Sequence, residues 1–305
     1  MDLKPGSLIL SRHLAELGLE PRRTRPARTP TLTRVRRGAY VATEEWRRSR
    51  PETQYRYLVL ATLSAMRSDA FVSHESAAVL LGIPIIGRWP ERVHVVEQVA
   101  SGGRSSALVV KHGVKRLPGV VTVDGQGTTS IGRTALDLAR TRSFVSALVS
   151  MDHVLASGAV TRDEVLAELE LLRGSRGYRQ ARRVVECADA RSESVGESLS
   201  RAQMYELRLP IPDLQRDFSD VDGPIGRCDY WWEHLRLIGE FDGKVKYQRE
   251  GLAGEDPSAV VWREKRREDR LRSIVSGVLR WTWEEAWNRE RLRTIMARAG
   301  VVPMR

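Results

Sequence analysis

A mixed protein of the α+β/α/β class is predicted, on three observations. The chain has 305 residues, which points to about two domains. Runs that alternate apolar and polar or basic residues occur near both ends, while much of the middle carries apolar positions at helical spacing. Six of the eight tryptophans lie beyond residue 190, at positions 231, 232, 262, 281, 283 and 287, so the core changes character there. These features divide the chain into a basic module over 1–50, a mostly helical middle region over 51–190 and a C-terminal domain over 191–305.

Composition narrows the class. Hydrophobic residues make up 41% and charged residues 29%, which is ordinary for a globular chain and excludes collagenous, coiled-coil and wholly disordered ones. Two cysteines, Cys187 and Cys228, with no CxxC cannot build a disulfide framework, so a cytoplasmic location is expected. The most apolar stretches, Tyr57–Met66 and Ala78–Gly87, are about half of the roughly 20 residues a membrane span needs. No membrane partner is expected, and the N-terminus has too short an apolar run for a signal peptide.

Charge supplies the first functional clue. The net charge is +11, from 44 Arg and 6 Lys against 39 acids. Residues 1–50 hold 12 basic and 5 acidic side chains, and residues 263–305 hold 12 and 6. Two basic ends around a nearly neutral middle favour a polyanion, of which nucleic acid is the commonest.

The elements follow in order. Ser11–Leu19 reads as a short capped helix ending at a glycine. Leu32–Val41 alternates apolar and basic residues around Gly38, the pattern of a two-stranded wing, with Arg34, Arg36 and Arg37 placed to touch DNA phosphates. Between them Pro21, Pro26 and Pro30 oppose a helix. In the middle region, Gln54–Met66, His74–Leu81 capped by Ser73, Arg133–Arg140, Phe144–Ala156 and Asp163–Leu172 read as helices. Arg92–Val96 and Ala107–Val110 read as strands. His74 and His94 stand as isolated core or capping histidines. Ala188–Ser194 reads as a linker.

Beyond it, Val195, Leu199, Ala202 and Tyr205 form one apolar helical stripe. Gly226–Trp232 and Leu235–Asp242 make a hairpin around Glu233-His234. Trp262–Ile274 is a charged helix, Gly277–Trp283 a third strand and Glu285–Ala299 a last helix. Asp229 lies on the first hairpin strand, and alternation puts Glu240 and Asp242 on one face of the second, roughly 6.5–7 Å apart. Lys244 and Lys246 follow, two of only six lysines in the chain. Convergent carboxylates with a lysine suit metal-assisted phosphodiester hydrolysis, in which hard oxygen ligands hold Mg²⁺ and the cation activates water.

Two resemblances rest on these residues. The Ser11–Leu19 segment and the Arg34-Val35-Arg36-Arg37-Gly38-Ala39-Tyr40-Val41 wing resemble the N-terminal winged helix of AbiEi-type antitoxin proteins, with the recognition helix displaced by the three prolines: a degenerate winged helix. The middle region resembles the segment that follows it there, in His74-Glu75-Ser76-Ala77-Ala78 and Arg133-Thr134-Ala135-Leu136-Asp137. Asp229, then Glu240-Phe241-Asp242-Gly243, then Glu264-Lys265, Arg267, Asp269 and Leu271, then Val278–Trp283 resemble, in that order, the very-short-patch-repair-like (Vsr-like) endonucleases of the PD-(D/E)XK class.

That second resemblance implies an αβββαβ-type core with a central mixed sheet. It implies Asp229 and Glu240 as ligands of Mg²⁺, with Mn²⁺ as the alternative, and Glu197 from the preceding helix as a third. Asp242 stands where the simplest motif has its lysine, so Lys246 or Lys244 is the substitute. Arg267, Arg270 and Arg280 would face DNA. Each residue also has a structural reading: Ser194-x-x-Glu197 is a capping box, Glu240 and Asp242 could pair with arginines, Glu264 and Asp269 could pair along their helix, and the tryptophans suit a core. The leading expectation is a metal-dependent DNA endonuclease whose basic N-terminal module aids binding. The alternative is a DNA-binding regulator or antitoxin-like protein with an inactive nuclease fold, and a third is an RNA-directed nuclease. A homodimer and a toxin–antitoxin or repair partner remain open.

Overall fold

The computed structural model describes residues 8–14, 32–66, 70–98, 105–243 and 257–303. The chain is mixed α/β and packs as two compact units: residues 1–141 with 167–176, and residues 142–166 with 177–305. The divisions expected at 50 and 190 fall inside these units.

The first unit opens with a sheet of order β1-β3-β2 (Ile9–Leu10, Ala39–Ala42 and Leu32–Arg36). The hairpin turns at Gly38, φ +82°, a left-handed conformation that glycine adopts freely. Of Ser11–Leu19, a single 3-10 turn over Ser11–His13 is described; the rest, like Pro21, Pro26 and Pro30, lies outside the described residues. Helices α1 (Thr43–Arg48) and α2 (Pro51–Leu63) follow, α2 starting on a proline, whose missing N–H costs nothing in a first turn.

A second sheet has the order β6-β5-β4-β8-β7, from β4 (Phe71–Val72), β5 (Val93–Gln98), β6 (Val109–Val114), β7 (Val120–Val123) and β8 (Gln126–Thr129). The expectation of a mostly helical middle with some strand holds, and the described sheet has three strands beyond the two expected. The strands that escaped it are two to four residues long, too short to show a period. The β7–β8 turn is Asp124-Gly125, both at positive φ, a pairing favoured in tight hairpins. Helices α3 (His74–Leu81) and α4 (Ile131–Thr141) complete the unit. Tyr55, Val59, Val72, Ala77, Leu80, Val93 and Val95 form its core.

In the second unit α5 (Phe144–Ala156), α6 (Arg162–Glu170, its last turn counted with the first unit), α7 (Tyr178–Cys187) and α8 (Val195–Glu206) precede a four-stranded sheet. Its strands are β9 (Asp213–Asp220), β10 (Gly223–Trp232), β11 (Leu237–Asp242) and β12 (Gly277–Thr282), in the order β12-β11-β10-β9. The first three are antiparallel and β12 is parallel to β11. Helix α9 (Pro257–Ile274) joins β11 to β12. Two helices, α10 (Trp283–Trp287) and α11 (Arg289–Arg298), replace the single expected last helix. The break is at Asn288, whose side chain accepts the Glu290 and Arg291 N–H groups and caps α11. Strand β9 was not read from the residues because Asp-Leu-Gln-Arg-Asp-Phe-Ser-Asp is a half-exposed edge with charges on it.

Helix α8 covers one face of this sheet. Tyr230 donates to the Glu197 carbonyl at 2.9 Å, and the Trp281 indole donates to Ser200 at 2.8 Å. The Phe241 ring lies so close to Gly196 that a Cβ there would fall 2.0 Å from it. On the other face Leu271 of α9 packs with Cys228 and Ile238. A buried ion pair ties α5 to α8: Arg201 reaches both Asp152 oxygens at 2.6 Å and also donates to the Cys187 carbonyl. Removing one partner of such a pair costs about 3–5 kcal/mol because the other is left charged and buried.

Candidate active site

The acids expected from the sequence lie on β10 and β11. One step beyond the paired Tyr230 and Gly239 come Asp229 and Glu240. The Asp229 carboxylate accepts the Phe241 N–H at 2.8 Å, so a side chain takes the place of a ladder carbonyl. Across from Asp229, between the pairs Cys228↔Arg216 and Tyr230↔Leu214, Gln215 adopts φ +55°, a region non-glycine residues rarely visit. Cys228 and Trp231, three apart, pack in the same cluster, so the alternation of faces slips by one residue across Asp229. This irregularity turns the Asp229 side chain toward β11.

Glu240 is held by two guanidiniums. One oxygen accepts from Arg267 at 2.9 Å and the other from Arg280 at 2.8 Å. Arg280 is the residue paired with Glu240 on β12 and also bonds Glu268. Arg267 reaches over from α9 and donates to the Arg227 carbonyl as well. Asp242, paired with Thr282, is partly exposed at the end of β11. Lys244 and Lys246 lie outside the described residues, as does the side chain of Glu264. Beside these acids Cys228 is 1% exposed. Burial, and then the nearby Glu240 charge, pushes its thiol up to about 12, against the opposing pull of Arg267.

The other site residues have plainer surroundings. Glu197 makes half of the expected capping box: Ser194 accepts the Glu197 N–H and its hydroxyl donates to the Glu197 carboxylate, which accepts the Glu193 N–H, one residue before the N-cap, and the Gln215 amide. Arg270 clamps the β9–β10 turn through Asp220 and the Gly223 carbonyl. Arg34 and Arg37 are exposed on the N-terminal hairpin and Arg36 is partly covered. Trp232 and Trp281 are core residues, whereas the partly exposed Trp283 meets Phe241 edge-on at 5.3 Å.

Among the described residues, Glu197, Asp229, Glu240 and Asp242 supply no set of three ligand atoms within 4.8 Å of one another; the set that does so is His74, His94 and His112. The sequence reading missed this cluster. His74 and His94 were expected to stand alone, and Ser73 to cap α3. Instead the Ser73 hydroxyl faces the His74 ring at 3.1 Å and makes no cap bond. The His74 and His112 rings stack at 3.8 Å, and His94 Nδ1 lies 3.1 Å from His112 Nε2. Burial holds the His74 pKa well below its ordinary value and brings His112 to about 4, with the neighbouring histidine charges adding to both. The three residues sit on separate elements, so no local spacing announces them.

No family model matches the chain. It is similar to two Mycobacterium tuberculosis proteins, from strains CDC 1551 and H37Rv, each called an uncharacterized protein. Each is 34% identical over 120 residues, which is 39% of this chain and 44% of the relative. The match therefore spans less than half the length of either relative. Among the described residues no helix is long and apolar enough to cross a membrane.

Proposed function

We propose that the C-terminal unit is a metal-dependent endonuclease that hydrolyses phosphodiester bonds in DNA, with the basic N-terminal hairpin adding backbone contacts. The observation that carries this reading is the bond from the Phe241 N–H to the Asp229 carboxylate. It fastens one acid of the Vsr-like pattern against the strand that bears Glu240 and Asp242. The order α8, β9, β10, β11, α9, β12 around a mixed sheet supports it, being the αβββαβ arrangement which that resemblance implies.

The fit to a Mg²⁺-class cation is incomplete as the side chains stand. Such an ion takes hard oxygen donors, which Asp229 and Asp242 offer. Both Glu240 oxygens bind guanidiniums, and the Glu197 carboxylate is engaged in its cap. No step is therefore assigned to a metal. Arg267 and Arg280 have the planar forks that match phosphate oxygens, so a DNA backbone competes with Glu240 for them. That competition is the role we assign to this pair.

The same double pairing of Glu240 favours a second reading, a regulator or antitoxin-like protein that binds DNA without cutting it. Incubation with supercoiled plasmid and Mg²⁺ or Mn²⁺ separates the two, beside a chelator control and the Asp229→Ala and Glu240→Ala proteins. The endonuclease reading expects nicking that disappears in all three controls. Nicking that persists in Asp229→Ala protein overturns the site. Tight binding with no cleavage moves the assignment to the regulator.

A further inference from the structure

The histidine cluster rests on three elements of the first unit. His94 on β5 and His112 on β6 belong to neighbouring parallel strands. His94 pairs with Val110, and His112 is two residues on, so both side chains leave the sheet on one face. Helix α3 packs against β5, and its first residue is His74. There the backbone is at φ +52°, a conformation that costs a non-glycine residue about 1–3 kcal/mol and persists where the surroundings impose it. His74 and Glu75 are each 5% exposed.

Distances favour an ion here, provided the stacked His74 and His112 rings turn apart, because nearly parallel imidazoles cannot both aim a lone pair at one ion. A tetrahedral zinc ion with bonds of about 2.0–2.1 Å sets its donors about 3.3 Å apart. His94 Nδ1 lies 3.1 Å from His112 Nε2, close to that figure. The ligand atoms of all three histidines fall within 4.8 Å of one another. Three imidazoles select zinc-class transition metals and disfavour Mg²⁺. Arg133 and Arg140 are the nearby cations, and Asp137 pairs with both, at 3.0 and 3.2 Å.

We propose that His74, His94 and His112 form a binding site for one zinc-class divalent ion that fastens the start of α3 to β5 and β6. The ion would join three separate elements, and its role is to stabilise this unit. The assignment is independent of any nuclease activity.

The test uses the full-length chain, without an affinity tag, stripped by chelator. Zn²⁺ is titrated in competition with a chromophoric chelator, and Co²⁺ is added separately to read its visible d–d bands. The expected result is one ion per chain, a tetrahedral Co²⁺ spectrum and a higher Tm with Zn²⁺. His94→Gln and His112→Gln should weaken binding by at least about tenfold, while His234→Gln, on an exposed turn, should bind like the parent. Substoichiometric binding by the parent overturns the site, as does a Co²⁺ spectrum without tetrahedral bands. So does a His112→Gln protein that holds Zn²⁺ as tightly as the parent. The parent spectrum decides the matter even if a variant fails to fold.

Discussion

At the scale of single residues, the candidate active site is a contest for Glu240. Its carboxylate is shared by Arg267 and Arg280, and its charge helps to hold the neighbouring Cys228 thiol in the protonated form. A thiol raised to about 12 is almost wholly un-ionised at pH 8, and the thiolate is the nucleophile. Native protein should therefore leave Cys228 unalkylated by iodoacetamide at pH 8, while unfolded protein labels it fully; peptide mapping reads the difference. Rapid native labelling of Cys228 would contradict the packing described around it. Asp229, Glu240 and Asp242 were legible from sequence because their order and spacing along two strands mark them. What occupies Glu240 was not legible in detail, since Arg267 and Arg280 lie 27 and 40 residues further on and meet it only when α9 and β12 fold back.

At the scale of elements, α8 is held to its sheet by a contact that tolerates no side chain. A Cβ on Gly196 would fall 2.0–2.7 Å from three atoms of the Phe241 ring. Glycine is ordinarily a poor helix former, so its place in the first turn of α8 is set by that ring. Gly196→Ala should destabilise the protein by about 1–3 kcal/mol, the usual cost of overpacking, despite alanine's better helix propensity. Urea unfolding measures it, and a variant as stable as the parent would show that Phe241 moves aside freely. The limits of α3, α5 and β10–β12 were close to those the residues suggest, because strong periodicity and terminal Gly or Ser residues mark them. Strands β4, β7, β8 and β9 escaped because they are short or polar edges, where pairing with a neighbour, not apolar alternation, makes the strand.

At the scale of the whole molecule, charge is the property to test. The net charge of +11 is concentrated at the two ends of the sequence. Arg34 and Arg37 are exposed, and Arg267 and Arg280 are partly exposed beside the candidate site. If these four contact phosphates, log K for DNA should fall with log salt at a slope of about −3 to −4, near −0.9 per contact. Filter binding or fluorescence anisotropy across a salt series measures this. A flat dependence would remove the electrostatic basis of the nucleic-acid reading, for cleavage and for regulation alike.

The sequence by itself determined the mixed fold class, most of the longer elements and the strands on which Asp229, Glu240 and Asp242 lie. Each of these is written locally, in period, capping residues or spacing along one hairpin. Only the tertiary structure decided that Glu240 binds two arginines, that Glu197 makes half of a capping box, and that His74, His94 and His112 meet. Those outcomes depend on which strands become neighbours and which helix covers them. The histidines lie 18 and 20 residues apart, and three such residues share a site only once β5 and β6 pair in register and α3 packs beside them.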